Sequence, residues 1–387
     1  MITYKGKYNS ANVMLDEVEE TTEKQIRGFL EHPAFSHTYI AIMPDCHAGA
    51  GAVIGYTAKM NEYVIPNVCG VDISCGMFCC KIDKKAFSFE SQNPHFVLKR
   101  LDEFIKKRIP SGFARRREPP VSKYDDKIIE IIQLANKLEL DVYDVLCQLG
   151  TLGGGNHFIE VNRDPEDNYW LVIHSGSRNF GLKIATYYQD RAKELMKKMF
   201  IEKEEYKNLE FLPLDMGGNE YIEAMKIAQG FASSNRKLMA KMILEGVFSL
   251  DMDKVEQIES VHNYINFEDN IVRKGAISAQ KGERVVIPFN MRDGVAVGVG
   301  KGNSKWNYSA PHGAGRILSR KKAKEMLTME QYNSEMEGIY TSCISKDTLD
   351  ESPMAYKDKD LIINAIAETV DIEFLMKPVY NFKAGGD

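Results

Sequence analysis

Pro66-Asn67-Val68-Cys69-Gly70-Val71-Asp72-Ile73-Ser74-Cys75-Gly76-Met77 is the stretch around which the chain is organised. It reads as a strand end running into a glycine-punctuated turn, then an apolar strand through Met77-Phe78-Cys79-Cys80. Asp72 and Cys75 sit on that turn, three positions apart. A carboxylate and a thiolate that close together reach one metal ion, or two adjacent ions bridged by the sulfur. The same pattern also describes a turn aspartate capping the backbone beside a buried cysteine. The histidines decide between the two.

The chain has eight histidines. His32, His37 and His95 lie in polar or loop contexts and are set aside. The other five stand at expected strand ends or beside glycines. An apolar strand at 39–43 delivers Pro44-Asp45-Cys46-His47 into a run of small residues, which suits close approach of backbone to a ligand. Gly153-Gly154-Gly155-Asn156-His157 opens a strand at 157–161, whose alternation puts His157, Ile159 and Val161 on one face and Phe158 and Glu160 on the other. Trp170-Leu171-Val172-Ile173-His174 ends a second strand and runs into a polar turn at Ser175-Gly176-Ser177-Arg178. His262-Asn263 and Pro311-His312-Gly313-Ala314-Gly315-Arg316 complete the set. Five such histidines with Asp72 and Cys75 make a buried metal cluster the better reading. Imidazoles with one carboxylate and one thiolate suit Mn²⁺, Zn²⁺, Fe²⁺ or Co²⁺, not Mg²⁺ or Ca²⁺. The sequence has no His-Glu-x-x-His and no Cys-x-x-Cys, so zinc-protease and zinc-finger chemistry has no support.

Composition sets the outer bounds. With 387 residues, 44% hydrophobic and 27% charged, the chain can bury a large core. No apolar run approaches a membrane span and the N-terminus lacks a signal-peptide pattern, so a cytoplasmic location is expected. Seven irregularly spaced cysteines fit reduced thiols better than a disulfide framework. The net charge of −5 requires any nucleic-acid contact to use a local basic surface. The most basic patch is Lys99, Arg100, Lys106, Lys107, Arg108 and Arg115-Arg116-Arg117, either a solvated face or a track for phosphates.

Helices are expected at 11–31, 96–108, 126–147, 183–202, 219–247, 315–330 and 358–371, with a closing strand at 379–383. The 126–147 helix buries Ile128, Ile129, Ile131, Ile132, Leu134 and Leu138. In the 315–330 helix, Arg316 and Arg320 stand one turn apart on the same face. The irregular order of strands and helices argues for an α+β fold in a single domain over 1–387.

Taken together, Pro44-Asp45-x-His47, Gly70-Val71-Asp72-Ile73-Ser74-Cys75-Gly76, Gly153-Gly154-Gly155-Asn156-His157-Phe158-Ile159-Glu160, His174-Ser175-Gly176-Ser177-Arg178, His262-Asn263, His312-Gly313-Ala314-Gly315-Arg316 and a closing Lys383 resemble the RtcB family of RNA ligases. The motifs span nearly the whole chain in family order. The resemblance implies mixed β-sheets around a central metal and nucleotide cleft, flanked by helices. It implies sealing of RNA 2′,3′-cyclic phosphate or 3′-phosphate ends to 5′-hydroxyl ends, with GTP and two Mn²⁺ ions, in RNA repair or tRNA splicing. Asp72, Cys75, His157, His174 and His262 would hold the ions, with Cys75 bridging. His312 would become guanylylated, oriented by Asp45. Asn156, Phe158, Glu160, Asn263, Gly313, Ala314, Gly315, Tyr356 and Lys383 would form the nucleotide pocket, with Glu160 and Lys383 on the guanine edge. Arg178 and Arg320 would hold RNA phosphates. An archease-type activating partner is also consistent with the resemblance.

Ile287-Pro288-Phe289-Asn290-Met291-Arg292-Asp293-Gly294 stands where the family has a Gly-Ser-Met-Gly run, and its bulk and charge are expected to alter how the nucleotide is held. Pro311 stands where the family tends to place Cys or Ser. The chain is also on the short side for the family, so it reads as a divergent branch with RNA-contacting loops trimmed. Two alternatives keep the metal ligands: a dinuclear-metal RNA phosphodiesterase or phosphatase, and a non-catalytic RNA-binding relative.

Overall fold

Two large sheets, whose strands Ile40–His47, Gly76–Ile82, Phe158–Arg163 and Tyr169–Ser175 are buried almost throughout, and two two-stranded sheets, Ala276–Ser278 with Ser309–Pro311 and Tyr63–Val64 with Leu212–Pro213, make up the β structure. The computed structural model describes residues 1–88, 94–120 and 126–385. One sheet has six strands, ordered Ile2–Lys5, Ser10–Val13, Ile40–His47, Ile54–Lys59, Ile271–Lys274 and Tyr264–Asn266. It is antiparallel except where Ser10–Val13 runs parallel to Ile40–His47. The other has seven antiparallel strands, ordered Gln257–Val261, Gly76–Ile82, Tyr169–Ser175, Phe158–Arg163, Val370–Lys383, Gly294–Gly300 and Arg284–Asn290. Helices cover these sheets, as an α+β reading requires.

The long helix Gly218–Phe248 packs against the seven-stranded sheet through Met239, Ala240, Ile243 and Leu244, which share a core with Phe78, Ile159 and Ile173. Its other apolar positions, Met225, Ala228 and Phe231, pack on Phe180, Ile184 and Tyr188 of the helix Arg178–Lys198. Each fully buried Ile, Leu or Phe contributes roughly 1.5–3 kcal/mol of transfer free energy. This shared burial holds the strand ends that carry His174 and Cys75 in fixed register.

Several elements differ from their sequence reading. Residues 66–69 form a helical turn, Pro66–Cys69, where a strand end was expected, because Pro66 suits a first helical position. The expected helix at 11–31 is a strand, Ser10–Val13, followed by a helix, Glu20–Leu30, since Ala11 and Val13 alternate inward and pair with Ile2–Lys5. The 126–147 segment breaks at Glu139, whose φ of 55° ends Asp126–Lys137, and Asp141 caps a new helix, Val142–Cys147. Ile129 is consequently exposed and Ile132 only half-buried. In the 315–330 region Arg316 bridges Tyr356 in extended backbone, and Ser319 caps a short helix, Arg320–Met326, so the two arginines share no helix face. The expected 358–371 helix stops at Ala365, and Val370–Lys383 is one 14-residue strand.

Candidate active site

Asp72 and Cys75 occupy the turn between Pro66–Cys69 and Gly76–Ile82. That turn is stitched to the next ligand loop: Ser74 N–H donates to the Asn263 carbonyl (2.9 Å), and His262 N–H donates to the Cys75 carbonyl (2.8 Å). Gly176 permits a close approach, since a Cβ there would fall 2.2 Å from Asp72 Oδ1. Gly153, at φ +96°, leaves room for His157 and Arg178, which a Cβ would overlap.

The five expected metal ligands converge. Cys75 Sγ lies 3.3 Å from His157 Nε2 and 3.1 Å from His174 Nε2. His157 Nε2 is 3.0 Å from Asp72 Oδ2, and His174 Nε2 is 3.4 Å from His262 Nε2. The ligand atoms form two groups, Asp72/Cys75/His157 and Cys75/His174/His262, each within 4.8 Å, with the sulfur common to both. His174 Nδ1–H donates to the Asn156 carbonyl (3.0 Å), which leaves its Nε2 lone pair facing the cluster. Burial, then neighbouring rings, hold the His174 and His262 pKa values well below the usual imidazole range, so both are neutral ligands in waiting. Burial, with Asp72 adding to it, pushes the Cys75 thiol up. An N/O/S donor set with two overlapping triads fits a pair of borderline cations.

His312 follows the strand Ser309–Pro311, and its Nδ1 lies 2.7 Å from Asp45 Oδ2. Asp45 is fully buried within the strand Ile40–His47, at an irregularity between Ile42 and His47 that re-aims its side chain. The His312 ring packs 4.7 Å from that of His262, so the nucleophile candidate adjoins the ligand cluster. His47 bonds the Asp45 backbone carbonyl (3.0 Å) and belongs to neither ligand triad.

A cavity of about 320 Å³ opens from His312 and is lined by all nine expected nucleotide-pocket residues. His157 lies one residue before the strand Phe158–Arg163, so it escapes the expected alternation and joins the ligands while Ile159 and Val161 enter the core. Glu160 is buried, and Asn162 and Asn381 donate to its two oxygens (3.1 and 2.6 Å). Burial dominates and raises its pKa to about 7. The 288–294 segment sends Phe289 into a core with Ile277 and Ala314, and Met291 against Tyr332. Arg292 pairs with Asp293 and Glu335, away from the cavity. Pro288, Phe289, Asn290 and Met291 nonetheless line the cavity, so the bulk of this run borders the expected nucleotide site while its charge turns away.

Glu351 was not singled out from the sequence. It is buried, and it accepts from Lys383 Nζ (2.7 Å), Arg320 Nη1 (2.6 Å), Arg316 Nη1 (3.2 Å) and Tyr356 OH (2.6 Å). Burial opposes its charge, but these donors outweigh burial and hold its pKa at about 2. The sequence offered only an acidic pair, Asp350-Glu351, with nothing to tie it to Lys383, Arg320 or Arg316. Arg236 and Asn235 on the Gly218–Phe248 helix were likewise not singled out from the sequence. They brace the site: Arg236 donates to the Ser74 and Ser175 carbonyls (2.6 and 2.8 Å), and Asn235 bonds Thr151 and Ser175.

Arg178 and Arg320 line a second cavity, of about 600 Å³, which shares Asp72 and Arg320 with the first. Arg178 also backs a ligand, with Nη1 3.4 Å from His157 Nδ1 and Nη2 donating to the Gly112 carbonyl (2.9 Å). The basic patch is partly structural: Arg116 donates to the Leu149 and Gly150 carbonyls (2.9 and 3.0 Å), Arg100 to the Val247 carbonyl, and Arg115 pairs with Asp144. All seven cysteines are free thiols. Among the described residues no helix is long and apolar enough to cross a membrane.

Known proteins resemble the chain along nearly its whole length. A family model described as tRNA-splicing ligase RtcB matches residues 25–384. An RNA-splicing ligase RtcB from Escherichia coli K12 is 32% identical, over 94% of this chain and 94% of that protein. The tRNA-splicing ligases RtcB of Aeropyrum pernix and Methanococcus maripaludis are 29% and 28% identical, over 88% and 90% of this chain and 87% and 88% of theirs. With the match running from the first helix to the final strand, the chain belongs to the RtcB family.

Proposed function

We propose that the chain is an RNA ligase that joins 2′,3′-cyclic phosphate or 3′-phosphate ends to 5′-hydroxyl ends, using GTP, two Mn²⁺ ions and a guanylylated His312. The observation that carries it is the His312–Asp45 pair, at 2.7 Å, facing a cavity whose wall is the Cys75/His174/His262 triad. Both sheets supply site residues, which supports one domain over 1–387.

Asp45 holds the proton on His312 Nδ1 and so leaves the Nε2 lone pair available. His312 Nε2 attacks the α-phosphorus of GTP, and the bond to the pyrophosphate oxygen breaks. Asp45 then faces a ring that has gained positive charge, and stabilises it. The nitrogen–phosphorus bond breaks as GMP passes to an oxygen of the RNA 3′-phosphate. The 5′-hydroxyl then attacks that phosphorus and GMP leaves. A cyclic phosphate end is first opened by water. Asp72, Cys75, His157, His174 and His262 would hold the ions, which when bound neutralise leaving-group charge and polarise phosphoryl oxygens. Ionised Glu160 accepts from the guanine N1–H and N2–H edge, which adenine lacks, and Lys383 donates to O6.

The test is intact-mass measurement after incubation with GTP and Mn²⁺. A gain of one GMP, absent with ATP and absent in His312→Ala, supports the reading. A manganese-loaded protein without adduct that hydrolyses a cyclic phosphate would replace it with the phosphodiesterase reading.

A further inference from the structure

The second cavity is ringed by a feature the ligand and nucleotide residues do not explain. Phe113 is 84% exposed on the loop between the helix Pro94–Arg108 and residue 117. An exposed aromatic on a frayed tip would carry no meaning, but this loop is tied down at both ends. Gly112 N–H donates to the Gly153 carbonyl (2.8 Å), Leu152 N–H to the Pro110 carbonyl (2.9 Å) and Arg116 N–H to the Cys147 carbonyl (2.9 Å). The loop is therefore fastened to the 147–153 segment that leads directly into Asn156 and His157. The Gly112 carbonyl also accepts from Arg178. The ring is held out, at a fixed place, over a groove.

That groove is bounded by Phe113, by the half-exposed side chains Val71 and Leu182, and by Arg178, Arg320 and Asp72. Its last two members also line the nucleotide cavity, so the groove leads to the candidate metal ligands. An exposed π face and apolar rim beside guanidinium groups, at the mouth of a phosphoryl-transfer site, match one chemistry: an unpaired nucleotide, with its base on the ring and its phosphate toward the arginines. We infer that Phe113 is a stacking platform for a nucleobase of the single-stranded RNA at the break. The inference rests on the RNA-ligase reading for its ligand, and it adds a residue that grips the base adjoining the sealed bond. Because every base has a π face, this grip is tolerant of sequence.

The experiment has two arms. Phe113→Trp adds a surface indole to a chain whose own tryptophans, Trp170 and Trp306, are buried. Its fluorescence is titrated, without GTP, with short RNAs bearing a 3′-phosphate or a 5′-hydroxyl, and with the same RNAs abasic at the terminal nucleotide. Quenching by one end and its loss on the abasic version are expected, and they say which end stacks. In the second arm, Phe113→Ala weakens RNA binding about 5- to 150-fold, the value of one base–aromatic stack. It leaves GMP adduct formation unchanged, and Phe113→Trp restores binding. Wild-type RNA affinity in Phe113→Ala, or an equal penalty on intact and abasic RNA, would overturn the inference and leave Phe113 as a contact for another protein. A wild-type protein that forms no GMP adduct would count against the ligase reading, whereas the quench stands or falls without it.

Discussion

Asp45→Asn isolates the charge behind the nucleophile without changing its shape. Asp45 is buried and meets His312 Nδ1 at 2.7 Å. Before attack the ring is neutral and gains only a hydrogen bond from this contact. After attack the ring carries positive charge, and a carboxylate about 4 Å from its centre is worth about 4 kcal/mol at an effective dielectric of about 20. Part of that is already present as the ground-state hydrogen bond, which leaves roughly 2–4 kcal/mol specific to the transition state. The amide keeps the volume and one acceptor but no charge. The expected result is single-turnover guanylylation slowed ~30- to 1,000-fold, with GTP affinity and metal content near wild type. The assay follows transfer of GTP labelled at the α-phosphate onto protein, beside metal analysis of the same sample. Guanylylation by Asp45→Asn at the wild-type rate would refute the orienting role. A loss confined to GTP affinity would do the same, since it would make Asp45 a prop for the loop.

The remaining predictions concern the metals and the buried acids. Cys75→Ser removes the atom common to both triads and is expected to lose both ions by elemental analysis, whereas His262→Ala loses one; equal stoichiometry in the two variants would contradict a bridging thiolate. Glu351→Ala strands Lys383, and is expected to destabilise by roughly 3–5 kcal/mol in denaturant unfolding. Its pKa is depressed to about 2, so the carboxylate stabilises the fold above its unfolded value near 4.5, and that stability is lost as pH falls through about 2. The contribution is about 3 kcal/mol, and acid unfolding of Glu351→Gln should show a correspondingly weaker pH dependence. Glu160 is the opposite case. With its pKa raised to about 7, its stabilising protonated form is fully present below the unfolded value and is lost as pH rises through 7, so Glu160→Gln should gain relative stability at pH 8 in thermal melts. The same variant should lose preference for GTP over ATP in the adduct assay; retained preference would place base selection elsewhere.

The metal site was legible because its chemistry is carried by residue types that seldom cluster by chance. Asp72 and Cys75 share one turn while His157, His174 and His262 lie far from it in sequence, each histidine at or next to a strand end, and all five converge. The nucleotide residues were legible only through family resemblance, since nothing in the spacing of Tyr356 or Lys383 points to a pocket. Helix boundaries were less legible where a local event overrode periodicity. Glu139 takes a left-handed conformation inside an otherwise helical pattern, and Ser10–Val13 is drawn into a sheet by Ile2–Lys5, a partner no local window weighs. Glu351 and Arg236 escaped notice for a common reason. A buried ion pair looks like any two surface charges until the chain brings them together, as Arg236 meets Glu259 at 2.7 Å. The altered 288–294 run does border the expected nucleotide cavity, which Pro288, Phe289, Asn290 and Met291 line. Phe289 and Met291 also pack into cores and Arg292 turns out to Glu335, so the charge of the run leaves the cavity and its bulk does not.

Glu351 also joins residues of the two cavities. Lys383 ends the strand that pairs with Phe158–Arg163, so it lines the first cavity beside Phe158 and Glu160, where the proposed guanine edge would lie. Arg320 lines both cavities. One buried carboxylate binds both cations, at 2.7 and 2.6 Å. An RNA phosphate arriving at Arg320 competes with Glu351 for the guanidinium, and charge withdrawn from one donor strengthens the bond to the other. A tighter Glu351–Lys383 contact changes what Lys383 offers a guanine. Linkage requires the converse: a bound guanine that engages Lys383 must alter the grip of Arg320 on phosphate by the same free energy. On the proposed reading, base recognition and RNA-end recognition are expected to be coupled through this side chain, and Glu351→Gln is expected to sever the two in paired GTP and RNA titrations rather than abolish either.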